Sequence, residues 1–222
     1  MSLHTLDHYL PPPDTGLNLL YADESLLLVD KPSGLLSVPG RGEGLGDCLI
    51  ARAQRQYPEA LIVHRLDMAT SGILLLARGP LMQRTLSTLF ASRAVHKTYT
   101  ALVEGTLTGD GRCTLPLICD WPNRPRQIVD LRLGKRACTD WQALDVDAAN
   151  GCTRVALRPH TGRTHQLRVH MQALGHPILG DALYAPEAVR AQSPRLLLHA
   201  CELRLNHPHS GQPTHWSCPP EF

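Results

Sequence analysis

Short apolar runs separated by Gly, Pro, Asp and Ser recur along the chain, and only a few stretches carry the three-to-four residue spacing of a helix. Residues 17–21 and 26–29 read as strands joined by the tight turn Ala22-Asp23-Glu24-Ser25, which predicts a hairpin. Lys31-Pro32-Ser33-Gly34 and Pro39-Gly40 mark a loop, and residues 45–57 have helical spacing closed by Pro58. Residues 61–63 are apolar and partly β-branched, Thr70-Ser71-Gly72 is turn chemistry, and residues 73–77 resume a buried run. Pro80 opens a helix reaching about residue 92. Residues 97–105 alternate as a strand with Tyr99, Ala101 and Val103 on one side, and 137–146 and 152–158 read likewise. Residues 166–174 look helical and end at Gly175, while 195–205 and the tail around His215-Trp216 return to extended structure. Strands outnumber helices without a strict βαβ alternation, so the expected class is α+β, built on a largely antiparallel sheet.

The chain has 222 residues, 43% of them hydrophobic, enough to bury roughly 70% of the surface exposed on unfolding and to form one large domain. No window reaches the ~18 apolar residues of a membrane span, and residues 1–7 lack the basic-then-apolar pattern of a leader, so a cytoplasmic protein is expected. Seven cysteines without a C-x-x-C pair suggest neither a disulfide framework nor a zinc site. Among the 12 histidines, His160, His165 and His170 recur every five residues, a period that suits neither a helix face nor the H-E-x-x-H arrangement, so no metal is expected.

A net charge of +2 hides an uneven distribution. Residues 1–30 contain acids and no Lys or Arg, whereas residues 148–180 carry Arg154, Arg158, Arg163 and Arg168 and no acid. A second block, residues 121–136, sets Arg124, Arg126, Arg132, Lys135 and Arg136 against Asp130 alone. Such patches suit a phosphate backbone; a solvated basic face is the alternative.

Within His64-Arg65-Leu66-Asp67-Met68-Ala69-Thr70-Ser71-Gly72, one carboxylate lies on a loop between two strands. An aspartate there either binds local backbone or performs chemistry on a rigid support. Three further segments accompany it: Lys31-Pro32-Ser33-Gly34, the strand bearing Tyr99, and Pro159-His160-Thr161-Gly162-Arg163-Thr164-His165-Gln166-Leu167-Arg168-Val169-His170. In order and spacing these resemble the RluA family of RNA pseudouridine synthases. Gly34 to Arg41, Leu115 to Pro125 and Leu174 to Asp181 extend the resemblance over nearly the whole chain.

The resemblance implies a pseudouridine synthase catalytic fold, a largely antiparallel mixed sheet with flanking helices and loops around a central cleft, forming a single catalytic domain without an S4-like N-terminal module. It implies a cofactor-free isomerase that breaks the bond from ribose C1′ to uracil N1, turns the retained base and rejoins it through C5. The leaving base never departs, so the second carboxyl group of a glycoside hydrolase is not needed. Asp67 is then the nucleophile at C1′ or the base that removes the 2′ proton. To stay ionised without water it needs a cation, for which Arg168 is the family-matched candidate and Arg163 the competitor. Tyr99 would stack on the target uracil and help remove the C5 proton. Arg65 would fill the space of the flipped nucleotide, or else serve as an electrostatic neighbour of Asp67. His64 and Arg163 join Arg65 as RNA-binding candidates, with a structural role favoured for His64.

The implied partners are a tRNA anticodon stem-loop and a large-subunit ribosomal RNA hairpin, met by a monomer away from any membrane. A non-catalytic RNA-binding or ribosome-assembly protein that keeps the fold is the alternative, and a metal-dependent hydrolase the third reading.

Overall fold

A computed structural model describes residues 9–222; residues 1–7, on which the leader reading falls, lie outside them. In chain order the elements are β1 (Leu19–Ala22), β2 (Leu26–Lys31), α1 (Leu49–Gln54), β3 (Ala60–Ile62), β4 (Ser71–Arg78), α2 (Pro80–Ala91) and β5 (His96–Glu104). There follow β6 (Asp110–Cys113), β7 (Leu117–Cys119), a 3₁₀ turn (Trp121–Asn123), β8 (Gln127–Val129), β9 (Thr139–Asp147) and β10 (Cys152–Pro159). The chain closes with α3 (Gln166–Ala173), α4 (Glu187–Arg190), β11 (Leu198–Asn206) and β12 (Pro213–Ser217). Its strands are mixed but mostly antiparallel and its helices few, as expected of an α+β chain. Among the described residues no helix is long and apolar enough to cross a membrane.

The chain forms two compact units, one of residues 9–97 with His199–Glu221 and one of Thr98–Leu198 with Phe222. In the first, β2 pairs with β1 and β4, both antiparallel, and β4 pairs with β3. β2 and β4 read as unbroken apolar runs because both faces are covered: Leu26 to Val29 and Leu74 to Ala77 are all fully buried. One face packs Leu26, Leu28, Ile73 and Leu75 against Leu86 and Phe90 of α2. β4 begins where it meets β11 in parallel, Ser71 opposite His199 and Gly72 opposite Ala200. Only glycine fits there. Its φ is +107°, and a Cβ would lie 2.4 Å from the Ala200 carbonyl oxygen.

In the second unit β5, β10, β9 and β6 run antiparallel side by side, with Tyr99 opposite Leu157. The separate β7–β8 ribbon buries Leu117 and Val129 against Ala137, Val169 and Tyr184. The helix expected over residues 45–57 is shorter, Leu49–Gln54. Leu45 instead folds back so that its carbonyl accepts from Gly40, and the first helical N–H groups, of Leu49 and Ile50, donate to Leu36 and Ser37. Those bonds tie the helix start to the preceding loop and set its boundary.

Candidate active site

Asp67 sits, partly buried, on the loop between β3 and β4, and the backbone on both sides of it is held by residues 31–37. Ser37 does so twice, its hydroxyl donating to the Leu66 carbonyl (2.7 Å) and accepting from the Leu66 N–H (3.2 Å). The Met68 carbonyl accepts from Gly34 N–H (2.9 Å) and from the Lys31 ammonium (3.0 Å), and the Ala69 carbonyl from the Ser33 hydroxyl (2.7 Å). A turn bond from Thr70 N–H to the Asp67 carbonyl (3.1 Å) closes the loop.

Lys31 is completely buried, and its Nζ also donates to the carbonyls of Pro32 (2.8 Å) and Leu35 (2.7 Å). Burial pulls its pKa down to about 7, opposed by the nearby charges of Asp67 and Asp30. A cation in the electrostatic neighbourhood of Asp67 is therefore supplied by this unit itself. In the sequence Lys31 stands in the Lys31-Pro32-Ser33-Gly34 segment with no role of its own; the available signal is a lysine two positions beyond the apolar run Leu26-Leu27-Leu28-Val29.

The flanking candidates point opposite ways. His64 accepts from the Leu75 N–H at Nε2 (3.0 Å) and stacks on Phe90 (ring centroids 4.5 Å). Its enclosure and the Lys97 cation push its pKa down to about 3, so it is a neutral acceptor in the loop's support. Leu66 is buried and Arg65 exposed. Of the three residues ahead of Asp67, Arg65 alone is exposed to solvent.

The second unit holds Tyr99, Arg163 and Arg168. Tyr99 is buried on β5. Arg168, buried on α3, meets the fully buried Asp181 through both ends of a bidentate pair, Nε to Oδ2 (2.7 Å) and Nη2 to Oδ1 (2.6 Å). The Asp181 carboxylate also accepts from the N–H groups of Leu183 and Tyr184, and the Arg168 guanidinium lies 5.0 Å from the Tyr184 ring centroid. A planar fork held along one edge and over one face has little rotational freedom. Asp181 and Tyr184 were not assigned roles from sequence, since nothing in a loop's spacing shows that its acid faces a helix. Arg163 is exposed and donates from Nε to the Arg136 carbonyl (3.1 Å), joining the second basic block.

The evenly spaced histidines go to separate partners: His160 to Asp140 (2.6 Å), His165 to the Tyr184 hydroxyl (2.6 Å), His170 to Thr139 (2.9 Å). Two other groups bring metal-capable atoms together, Cys138/Asp140/His160 and Asp30/His199/Cys218. Neither suits a cation well. Asp140 is occupied by the Arg112 fork (2.5 and 3.0 Å), and burial beside Asp30 pushes the Cys218 thiol up to about 11.

Residues 25–173 match the family model described as RNA pseudouridylate synthase. The chain is 49% identical over 218 residues to the dual-specificity RNA pseudouridine synthase RluA of Escherichia coli (strain K12), covering 98% of this chain and 99% of that one. Its identity to the protein of the same name from Yersinia pestis is 51% over 205 residues, covering 92% and 99%. Among solved structures, Human RNA Pseudouridylate Synthase Domain Containing 1 superposes with a TM-score of 0.80 at 29% identity, covering 96% of this chain and 86% of that one.

Proposed function

This chain belongs to the RNA pseudouridylate synthase family, and from that premise we propose that Asp67 opens the C1′–N1 bond of a uridine in structured RNA. The same uracil, turned over in place, rejoins C1′ through C5. The N1–C1′ bond breaks, the C5–C1′ bond forms, C5 gives up a proton and N1 gains one. Nothing else is consumed, so the proposed reaction takes neither water nor cofactor.

Asp67 acts as nucleophile at C1′ or as the base that removes the 2′ proton, and both begin from the carboxylate. Arg168 is its proposed counter-cation, with Lys31 a second source of positive charge. Tyr99 presents a ring for the flipped uracil and assists loss of the C5 proton, and Arg65 enters the RNA where the base departed. Arg163 contacts phosphate, while His64 supports the loop from inside. By similarity to relatives named for dual specificity, the proposed substrates are an anticodon-loop uridine of tRNA and a hairpin-loop uridine of large-subunit ribosomal RNA. The chain acts as a cytoplasmic monomer, one catalytic domain spanning both units.

The observation that carries this reading is the fixed backbone of residues 66–69. An aspartate that must reach one ribose carbon needs a support that does not yield, because about 1 Å of misplacement costs on the order of 100-fold in rate. The test uses stem-loop RNA tritiated at uridine C5. Wild-type protein releases the label, and Asp67→Asn lowers the saturated rate by about four orders of magnitude or more with the RNA still bound. Release at an undiminished rate from Asp67→Asn overturns the assignment.

A further inference from the structure

The ribbon formed by β7, β8, the turn that joins them and the turn that follows is used by none of the steps above, yet it gathers an unusual surface. Trp121 is 65% exposed, and the Arg124 guanidinium lies over its ring at 4.6 Å. Arg126 on the same turn, and Arg132, Lys135 and Arg136 past the other end of the ribbon, where Lys135 bridges Leu117, are exposed as well. Among the described residues none of these five cations pairs with a carboxylate. The two local acids are spent inside the ribbon. Asp130 accepts from the Arg132 and Leu133 N–H groups (2.8 Å each), and Asp120 from the Asn123 side chain (3.0 Å).

The support beneath this surface is firm. Asp120 N–H donates to Arg126 (2.9 Å) and Arg126 N–H to Asn123 (3.0 Å), closing the turn that presents Trp121. Leu117 and Lys135 exchange both backbone bonds, and Gly134 passes so close that a Cβ would fall 2.3 Å from the Asp130 carbonyl oxygen. Gln127 N–H donates to the Tyr184 hydroxyl (2.9 Å), which anchors the ribbon to the residue that also flanks Arg168. A rigid, exposed indole among unneutralised cations is costly as a mere surface, since it leaves apolar area in water and like charges together. Both costs are offset if the partner brings π-faces and negative charge.

We propose that this ribbon docks RNA, with Trp121 stacking on an unpaired base of the substrate stem-loop and Arg124, Arg132, Lys135 and Arg136 lying along its phosphates. The proposal rests on the pseudouridine synthase reading for the identity of the partner and extends it to a surface that touches no reacting atom. Arg163, which donates to the Arg136 carbonyl, continues the same phosphate track. The neighbouring open groove of about 540 Å³ is not part of it, because Glu104 and Glu187 among its walls balance Arg126 and Arg190 and leave it no net positive charge for phosphate.

The experiment measures the dissociation constant of an unmodified stem-loop RNA and, separately, tritium release at saturating protein under single-turnover conditions. Trp121→Ala weakens binding by about 5- to 150-fold, the range for losing one stacked base, while the saturated rate and the melting temperature stay unchanged. Trp121→Phe keeps most of the affinity. Arg132→Gln with Lys135→Gln makes the slope of log affinity against log salt shallower by about one per lost phosphate contact. Affinities within about two-fold of wild type for both Trp121→Ala and Arg124→Ala overturn the proposal. So does a wild-type dimer by sedimentation that Leu131→Ser dissociates, Leu131 being an 80% exposed apolar side chain on the same segment, which would assign the face to a second copy of the chain. The two readings fail separately: absent tritium release with Trp121-dependent binding sinks the synthase chemistry, and normal release with Trp121-independent binding sinks the docking surface.

Discussion

The loop that carries Asp67 and the ribbon that carries Trp121 are both polar turns between short strands, but they are stabilised in opposite ways. Around Asp67 the bonds come from outside the loop, from Lys31, Ser33, Gly34 and Ser37, and they end on the backbone of Leu66, Met68 and Ala69. Around Trp121 the bonds that close the turn are internal, with one outside anchor from the Gln127 N–H to the Tyr184 hydroxyl, and the long side chains of its arginines are exposed. Chemistry at one carbon requires an atom placed to a fraction of an ångström, whereas holding a pliable RNA requires charge and stacking area that can follow it. A loop held by its backbone suits the first, and exposed arginines on a firm ribbon suit the second.

Rigid placement is not confined to the unit of Asp67, and the largest expected effect tests this in the other one. In Asp181→Asn the Arg168 guanidinium loses a buried ionic partner of nearly the same shape. Breaking such a pair from one side costs about 3–5 kcal/mol of stability, read as a lower midpoint in urea. Saturated tritium release falls with it, while the exposed ribbon keeps RNA affinity in the protein that remains folded. If Asp181→Asn binds RNA as weakly as Trp121→Ala while keeping its rate, the division between the two kinds of support is wrong.

Lys31→Met comes next. It leaves the Pro32 and Leu35 carbonyls without the ammonium that bonds them, while Met68 keeps its bond from Gly34. Pro32 is exposed and its carbonyl can turn to water, but the Leu35 carbonyl is orphaned in the interior; one such acceptor costs about 1–3 kcal/mol, and removing a desolvated charge returns part of it, so a net loss of about 2 kcal/mol is expected. The kinetic signature sharpens the comparison: the saturated rate drops more than the affinity for RNA, the reverse of the Trp121 variants. Equal losses in rate and affinity would mean that the Asp67 loop also carries the docking.

These expectations depend on features that differ greatly in how legible they are along the chain. β2, β4, β5, β10 and α2 follow from the apolar pattern, because strands buried on two faces and a helix opened by Pro80 leave continuous local signals. β6, with the sequence Asp-Gly-Arg-Cys, leaves none; it is a strand because β9 offers it Thr139 to Gln142 as partners. β7 and β8 are three residues each and are held by Ala137 and Val169 from distant segments. In the site, the loop pattern alone singles out Asp67, and motif resemblance adds its role together with Tyr99, Arg65 and Arg168, whereas neither shows Lys31 as a buried clamp or Asp181 as the partner of Arg168. A lysine with no exposed surface runs against the ordinary behaviour of the residue, and an acid thirteen positions beyond its arginine becomes a neighbour only once the loop has folded back.

The smallest effect comes from His64, and it separates the two regions by pH. In the folded chain His64 stays neutral, with its pKa near 3 against about 6.5 when unfolded. The unfolded chain therefore binds the extra proton first. The contribution of His64 to stability is complete above about pH 6.5 and is lost progressively as the pH falls toward 3. At pH 5.5 the loss is about 1 kcal/mol, and His64→Gln, which cannot titrate there, shows a flatter dependence of unfolding free energy between pH 7 and 5.5. Residues 117–136 contain no histidine, so affinity for RNA has no matching step of protein origin from the ribbon in that interval. Denaturant melts of the two proteins at both pH values, paired with binding measured at each, decide it. Parallel stability curves for wild type and His64→Gln would show that the imidazole titrates freely in the folded loop, and with it that the support of Asp67 is looser than the ribbon it has been contrasted with.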